Sequence, residues 1–381
     1  MAKNDTARVR VALVVPHIFI NRGIFEHVIF SPGQLAIDLC DNLGDFGVDV
    51  TLFTPGPTDT TAPNITADMS YFDRELAGRG YGAIELLKKH PLVFTSLSRQ
   101  VQSEIIARAY EMANDDKFDV VHIYTNEEDT ALHFARFCQK PVVFTHHDPY
   151  NFLIKYKAVF PKYRRLNYIS MSMSGRANMP PDTNWVANIY HGLNPDNFDP
   201  GYEPGEYFAY LGRIIEPKGV HLAIAAVEKY NRANPDKKVQ LKIAGKHYSG
   251  TGKDKYWQEQ IASHLGGETG YVGHLTDPEK VEFLRHARAL VVPSLFDEPF
   301  GMVSIEALAC GTPVIGLNHG ATPEIIAHGE NGFIATPETI TDYFDRVDKI
   351  DRHVCRQTFE QNFTLDRMTR EHAELYRKLA Q

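Results

Sequence analysis

Cysteine is scarce. The 381 residues hold four (Cys40, Cys138, Cys310 and Cys355), with no C-x-x-C pair and no zinc-finger spacing. A disulfide framework or a cysteine-built metal site is therefore excluded, and buried thiols in a reducing compartment are expected. Basic excess is missing too: the formal net charge is −8, which argues against a dedicated nucleic-acid binder. No apolar stretch approaches the ~20 residues that a membrane-spanning helix requires. The opening, MAKNDTARVRVALVVPHIFI, has its apolar run broken at Pro16 and shows no small-residue cleavage site. It reads as a strand, not a signal peptide. The expected location is cytoplasmic, and there the sequons at Asn64 and Asn362 carry no meaning. Short-period repeats and low-complexity segments are also absent.

What is present is an ordinary globular composition, 43% apolar and 23% charged, on a chain long enough for two domains. Short apolar runs at 9–15, 49–53, 120–123, 141–145, 167–170 and 185–187 read as strands, with helical patterns between them, as at 33–43 and 96–113. The alternation begins afresh after about residue 200. Strands are expected there at 207–211, 239–244, 269–271, 289–293 and 313–316, with helices near 221–231, 277–287 and 302–309. Such repetition means parallel sheets with crossover helices. The expected fold is α/β, two doubly wound domains facing across a cleft, with the Pro/Gly-rich run from Asn194 onward as linker. The domains are drawn at 1–198 and 199–360, followed by a terminal segment at 361–381. Ligands of such sheets sit at the carboxyl ends of strands.

Residues 296–315, FDEPFGMVSIEALACGTPVI, carry the strongest chemical signal. Glu298 and Glu306 stand eight positions apart, and 302–310 is apolar on nearly every face, so the helix there is buried. An unpaired carboxylate is costly to bury, so Glu306 needs polar company. Pro299 and Gly301 turn the chain into the helix and leave Glu298 on the loop at its mouth. The unpaired amides of a helix start favour an anion. Either glutamate alone reads more readily as a surface residue. Together they suit a sugar joined to a nucleotide through a diphosphate.

A second group follows the strand at 207–211, where Gly212-Arg213 and Lys218-Gly219 bracket a strand-to-helix loop. Two cations five residues apart can clamp a diphosphate; a solvated charged loop is the other reading. Gly273, His274 and Leu275 follow a strand and offer backbone contacts to a base. The loop from Gly320 to Glu324 reads as structural. Ser249-Gly-Thr-Gly-Lys253 lacks one glycine of a phosphate loop, and Gly78-Arg-Gly80 lacks the dinucleotide pattern. Asp-x-Asp occurs nowhere, which counts against a metal-chelating carboxylate pair. In the first half, Gly33 opens a helix where bare backbone could approach phosphate, though glycine is also an ordinary N-cap. His147, at a strand end in Thr145-His-His-Asp-Pro149, can bond a sugar hydroxyl or handle a proton.

The chain resembles the retaining glycosyltransferases of family 4, with their two-Rossmann GT-B fold. The residues that carry the resemblance are Gly212-Arg213…Lys218-Gly219, the Glu298-x7-Glu306 pattern, Ala309-Cys-Gly-Thr-Pro-Val314, Asn331-Gly-Phe333 and a terminal helix at Leu365–Leu379. The match is strong over about 205–335 and looser, but collinear, before it. The resemblance implies that Arg213 and Lys218 bind the diphosphate, Glu298 the donor-sugar hydroxyls and Glu306 the ribose. Amides of Phe300, Gly301, Met302 and Val303 would lie against sugar and phosphate, and His147 against the donor sugar. It further implies transfer of a hexose with retention, without metal or cofactor beyond the sugar nucleotide, and a terminal helix that crosses back onto the first domain. One departure stands out: Ser31-Pro32-Gly33 replaces the family's Gly-Gly pair, after an unusual loop at 21–30.

The expected acceptor is a small molecule, a glycan or a lipid-linked molecule. Residues 151–176 carry six basic residues and no acid (Lys155, Lys157, Lys162, Arg164, Arg165, Arg176), interleaved with Phe152, Tyr156, Phe160, Tyr163 and Tyr168. That segment is a candidate for peripheral contact with an anionic membrane; a solvated basic face over core aromatics is the alternative. An epimerase or phosphorylase on the same fold, or a non-catalytic sugar-nucleotide binder, are the competing functions.

Overall fold

The computed structural model describes residues 8–21, 30–124, 126, 129–203, 205–247 and 255–381. The near-phosphate-loop at 249–253 and most of the 21–30 loop lie outside them. By its internal packing the chain forms two units. The first runs to Met171 and adds Arg176–Ile189 and Leu365–Gln381; the second is Ser172–Gly175 with Tyr190–Thr364. The structural division falls at Ile189/Tyr190, where the sequence reading drew it at 198/199.

In the first unit seven parallel strands make one sheet: β1 (Val9–Val14), β2 (Val48–Thr54), β3 (Asn64–Thr66), β4 (Val120–Tyr124), β5 (Val142–Thr145), β6 (Asn167–Ser170) and β7 (Trp185–Asn188). Their order is β3-β2-β1-β4-β5-β6-β7. In the second unit β8 (Tyr207–Leu211), β9 (Leu241–Ala244), β10 (Thr269–Gly273), β11 (Ala287–Val292), β12 (Val314–Leu317) and β13 (Gly332–Ala335) are ordered β10-β9-β8-β11-β12-β13. Both orders are those of a Rossmann sheet, where the chain reverses direction beside its first strand. The expected α/β fold is therefore found, twice.

Continuous apolar runs became strands because helices cover both faces of each sheet; every residue of β4 and β8 is buried. Two strands were not anticipated, β3 and β13, and each closes one edge of its sheet. The strand expected from 239 starts at Leu241, because the Asn231 side chain bonds both the N–H and the C=O of Val239 at 2.8 and 2.9 Å. The helix expected over 96–113 runs Pro91–Asn114, begun by a proline in its first turn. Gly80 is an αL residue closing the helix Ser70–Arg79, an ordinary C-cap.

Gly33 does not open its helix. The helix starts at Ser31, with Pro32 in its first turn, and the Gly33 N–H donates to Phe30 O at 3.1 Å. A Cβ at Gly33 would stand 2.7 Å from the Phe30 ring, so what the glycine provides here is room for that ring.

The terminal helix Leu365–Leu379 belongs to the first unit. Its Tyr376 hydroxyl lies 2.7 Å from His122 Nδ1 on β4, and Arg377 donates to Phe46 O. Among the described residues no helix is long and apolar enough to cross a membrane.

Candidate functional site

In the second sheet, β8 and β11 are neighbours at the reversal point, and their carboxyl ends lead into two loops that interlock. The chain leaves β8 at Gly212, whose φ is 152°, and Tyr210 donates to Arg213 O at 2.9 Å. A turn over Glu216–Lys218 then delivers Gly219 in the left-handed region, φ 69°. A Cβ at Gly219 would lie 1.9 Å from Pro293 O, the residue after β11. Only glycine permits that approach. Leu295 N donates to Pro217 O at 2.8 Å and completes the stitch.

The stitch brings Lys218 and Glu298 together, with Nζ 2.8 Å from Oε1. Ser294 donates its hydroxyl to the same carboxylate oxygen, and the Lys218 ammonium also stands 5.3 Å from the centre of the Phe296 ring. Glu298 is only 8% exposed, so the partners are what make a buried carboxylate tolerable. Its backbone is held as firmly. Ala321 N donates to Glu298 O at 3.0 Å, and a Cβ on Gly320, φ 55°, would sit 2.3 Å from Glu298 N. The loop read as structural thus clamps the residue that the sequence singled out. At its far end Glu324 accepts from the amides of Met173 and Ser174 and from the Tyr190 hydroxyl.

Gly301, φ 102°, caps the helix Met302–Ala309. The first amides of that helix have no acceptor within it. Phe300 is buried, its ring 5.0 Å from that of His191, so its backbone alone can face a ligand; Met302 and Val303 are half-buried. Glu306, one face further along, accepts from Lys280 Nζ at 3.2 Å. This is the polar company its burial demanded. Cys310 beside it is an inert thiol, pushed up to about 12 by burial and by the charge of Glu306.

Arg213 is exposed, and among the described residues its guanidinium makes no ion pair. Gly273, φ 91°, ends β10 and accepts from Gly245 N at 2.8 Å through its carbonyl. His274 beyond it is exposed and Leu275 half-buried. A capping box of Thr276 and Glu279 fixes the start of the next helix.

Gly33 and His147 lie in the first unit, apart from this group in the chain's organisation. His147 N donates to Asn126 Oδ1 at 3.2 Å, and its ring meets Tyr124 edge-on at 4.6 Å. Its neighbour His146 is buried against Tyr150, Tyr156 and Phe160; of the two, His147 alone is part-exposed. Beneath lies a network that the sequence did not announce. His122 Nε2 is 2.8 Å from the Thr145 hydroxyl, His122 stacks on His372 at 5.7 Å, and His372 Nδ1 donates to Met368 O at 2.8 Å. Burial holds both histidines below the usual imidazole range, His372 at about 4. No cluster of three or more metal-ligating side chains occurs among the described residues.

The family model "Glycosyl transferases group 1" matches residues 197–353, and "Glycosyltransferase Family 4" matches 33–178. A glycogen synthase of Mycobacterium tuberculosis is 37% identical over 131 residues, or 34% of this chain and 30% of that protein. The chain thus spans about a third of the length of that relative. A phosphatidyl-myo-inositol mannosyltransferase of Mycobacterium leprae is 24% identical over 348 residues, 85% of this chain and 83% of that protein. Among solved structures, sucrose-phosphate synthase of Thermosynechococcus elongatus superposes with a TM-score of 0.71 at 18% identity, over 98% of this chain and 99% of that one. Anabaena HepE, solved in complex with UDP and glucose, gives 0.67 at 16% identity over 96% and 98%.

Proposed function

The chain belongs to glycosyltransferase family 4, and from that premise we propose that it moves a hexose from a nucleoside-diphosphate sugar to an acceptor hydroxyl, with retention and without a metal ion. The carrying observation is the pairing of Lys218 with Glu298 at 2.8 Å, at the carboxyl ends of β8 and β11. It sets a cation suited to phosphate against a carboxylate suited to sugar hydroxyls, beside the exposed Arg213 and a glycine-capped helix start.

In the reaction the bond from C1 of the sugar to the phosphate oxygen breaks. A bond from C1 to the acceptor oxygen forms on the same face, and the acceptor proton passes to the departing phosphate. Arg213, Lys218 and the amides of Gly301 to Val303 neutralise the charge that develops on the diphosphate. Glu298 orients the sugar and forms no covalent intermediate. Glu306 takes the ribose, the 273–275 loop the base, and His147 a donor-sugar hydroxyl. Incubation with UDP- and GDP-hexoses and an acceptor panel, followed by NMR of the anomeric centre, tests this. A retained configuration supports it. Inversion, conversion of the donor with no acceptor, a requirement for inorganic phosphate, or binding without turnover each points to another reading.

A membrane-associated acceptor is favoured by one observation. Phe152, Leu153 and Ile154 are consecutive and all exposed, Ile154 by 87%, and Lys157 and Lys162 are exposed nearby. The rest of the 151–176 segment is less available than its composition suggested. Arg164 and Arg165 pair with Asp182 and Lys155 with Asp129, Arg176 bonds Ser170, and Tyr156, Phe160 and Tyr168 are core. Insertion of the 152–154 apex into anionic bilayers would bring the protein to a lipid-linked acceptor. Sedimentation with phosphatidylglycerol vesicles, unchanged in F152S/I154S, would discount it.

A further inference from the structure

Lys280 was not part of the site as read from the sequence. It lies in the first turn of the helix Asp277–Arg285, the helix that follows the 273–275 loop. Its ammonium reaches two carboxylates, Asp277 Oδ1 at 2.9 Å and Glu306 Oε1 at 3.2 Å. These are unequal partners. The Asp277 side chain is 93% exposed and that of Glu306 only 13%, so solvent screens the first pair and leaves the second effective.

Glu306 uses one oxygen in this contact. Among the described residues its Oε2 has no hydrogen-bond partner. A carboxylate pinned at one oxygen loses its rotational freedom and presents the other as a fixed acceptor, ready for a hydroxyl pair. Fixing an acceptor before the ligand arrives removes an ordering cost from binding. The base of the lysine is itself fixed: Thr276 N donates to Glu279 Oε2 at 2.8 Å, and Lys280 N to Thr276 O at 2.9 Å. The positive charge also offsets the repulsion that a nucleoside diphosphate would otherwise meet from a half-buried carboxylate.

We infer that Lys280 is a positioning residue that makes the pocket selective for ribonucleotides, by holding Oε1 of Glu306 so that Oε2 receives the ribose 2′- and 3′-hydroxyls. The inference rests on the proposal that Glu306 takes the ribose. Loss of one charge-assisted hydrogen bond weakens binding by roughly tenfold or more, so a 2′-deoxy ligand should be rejected by at least that factor.

The test is calorimetric titration of UDP, GDP and their 2′-deoxy counterparts into wild type, K280M, K280Q, K280R and E306Q, with melting curves confirming that each variant is folded. Wild type is expected to prefer the ribose form of its nucleotide at least tenfold. E306Q and K280M should lower that preference below about threefold, mainly by weakening the ribonucleotide, and K280R should restore it. K280Q covers the case in which K280M does not fold. A full preference retained by K280M or K280Q overturns the inference, as does a loss that K280R leaves unrepaired. Wild type binding ribose and deoxyribose forms alike overturns the selectivity while leaving the nucleotide pocket standing. Wild type binding no nucleotide defeats the pocket itself, and the inference with it.

Discussion

The two units share a sheet order and differ in what lies at the strand ends. In the second unit the site holds two charged pairs, Lys218 with Glu298 and Lys280 with Glu306. In the first the polar groups are neutral and buried: His122 bonds Tyr376 and Thr145, and His372 stacks on its ring, contacts that need no charge. The contrast sets two kinds of polar chemistry on one scaffold. Ion pairs held by left-handed glycines suit a ligand whose charge must be met, whereas a neutral network ties the terminal helix to the strand end that carries His147.

If that contrast is sound, E298Q has the largest effect. Turnover should fall by about a hundredfold or more, the scale of a lost transition-state contact, while nucleoside-diphosphate affinity changes little. Steady-state kinetics beside calorimetry separate the two; unchanged turnover would remove Glu298 from the chemistry. Next comes G219A. Its Cβ would meet Pro293 O at 1.9 Å from a φ of 69°, so the loop must shift, at a cost of roughly 3 kcal/mol in chemical denaturation. A variant as stable as wild type would mean that the stitch between the two loops is not needed.

The first unit answers to pH instead. His122 and His372 have folded-state values below the unfolded one, so the unfolded chain takes up protons first on acidification. Their contribution is complete above about pH 6.5 and is lost as pH falls below it, for His372 toward about 4, at up to ~1.4 kcal/mol per pH unit for each histidine. H372Q should flatten the fall of melting temperature over that range. An equally steep profile in the variant would assign the acid sensitivity elsewhere. Smallest is R213A. An exposed guanidinium with no ion pair among the described residues contributes to the ligand, so affinity should drop about tenfold with no change in stability; a change in stability with none in affinity would reverse the assignment.

Much of the fold was legible because strands buried on both faces are plain apolar runs. The strands 167–170 and 207–211 and the helix 302–309 lie where the pattern placed them. The edge strands β3 and β13 were not legible: Asn64-Ile-Thr66 is mostly polar, and β13 begins on a glycine. In the site, Glu298 and Glu306 could be read because helix, turn and spacing are local. Lys218 was read too, though not its pairing with Glu298; the other partners could not be. Lys280 and Gly320 come from other segments, and only the fold sets them against the glutamates; Ser294, four residues before Glu298, was the one local cue left unread. The histidine network joins positions 122, 145, 372 and 376, and no spacing links those.

The central claim is that this pocket meets a diphosphate with protein cations and backbone amides. Calorimetry of UDP- and GDP-hexoses in excess EDTA tests it most directly, with wild type and the R213E/K218E variant side by side. Metal-free binding by wild type, weakened at least about a hundredfold by the double reversal, is the predicted result. Binding that appears only when magnesium or manganese is restored, or that survives the reversal intact, would contradict it.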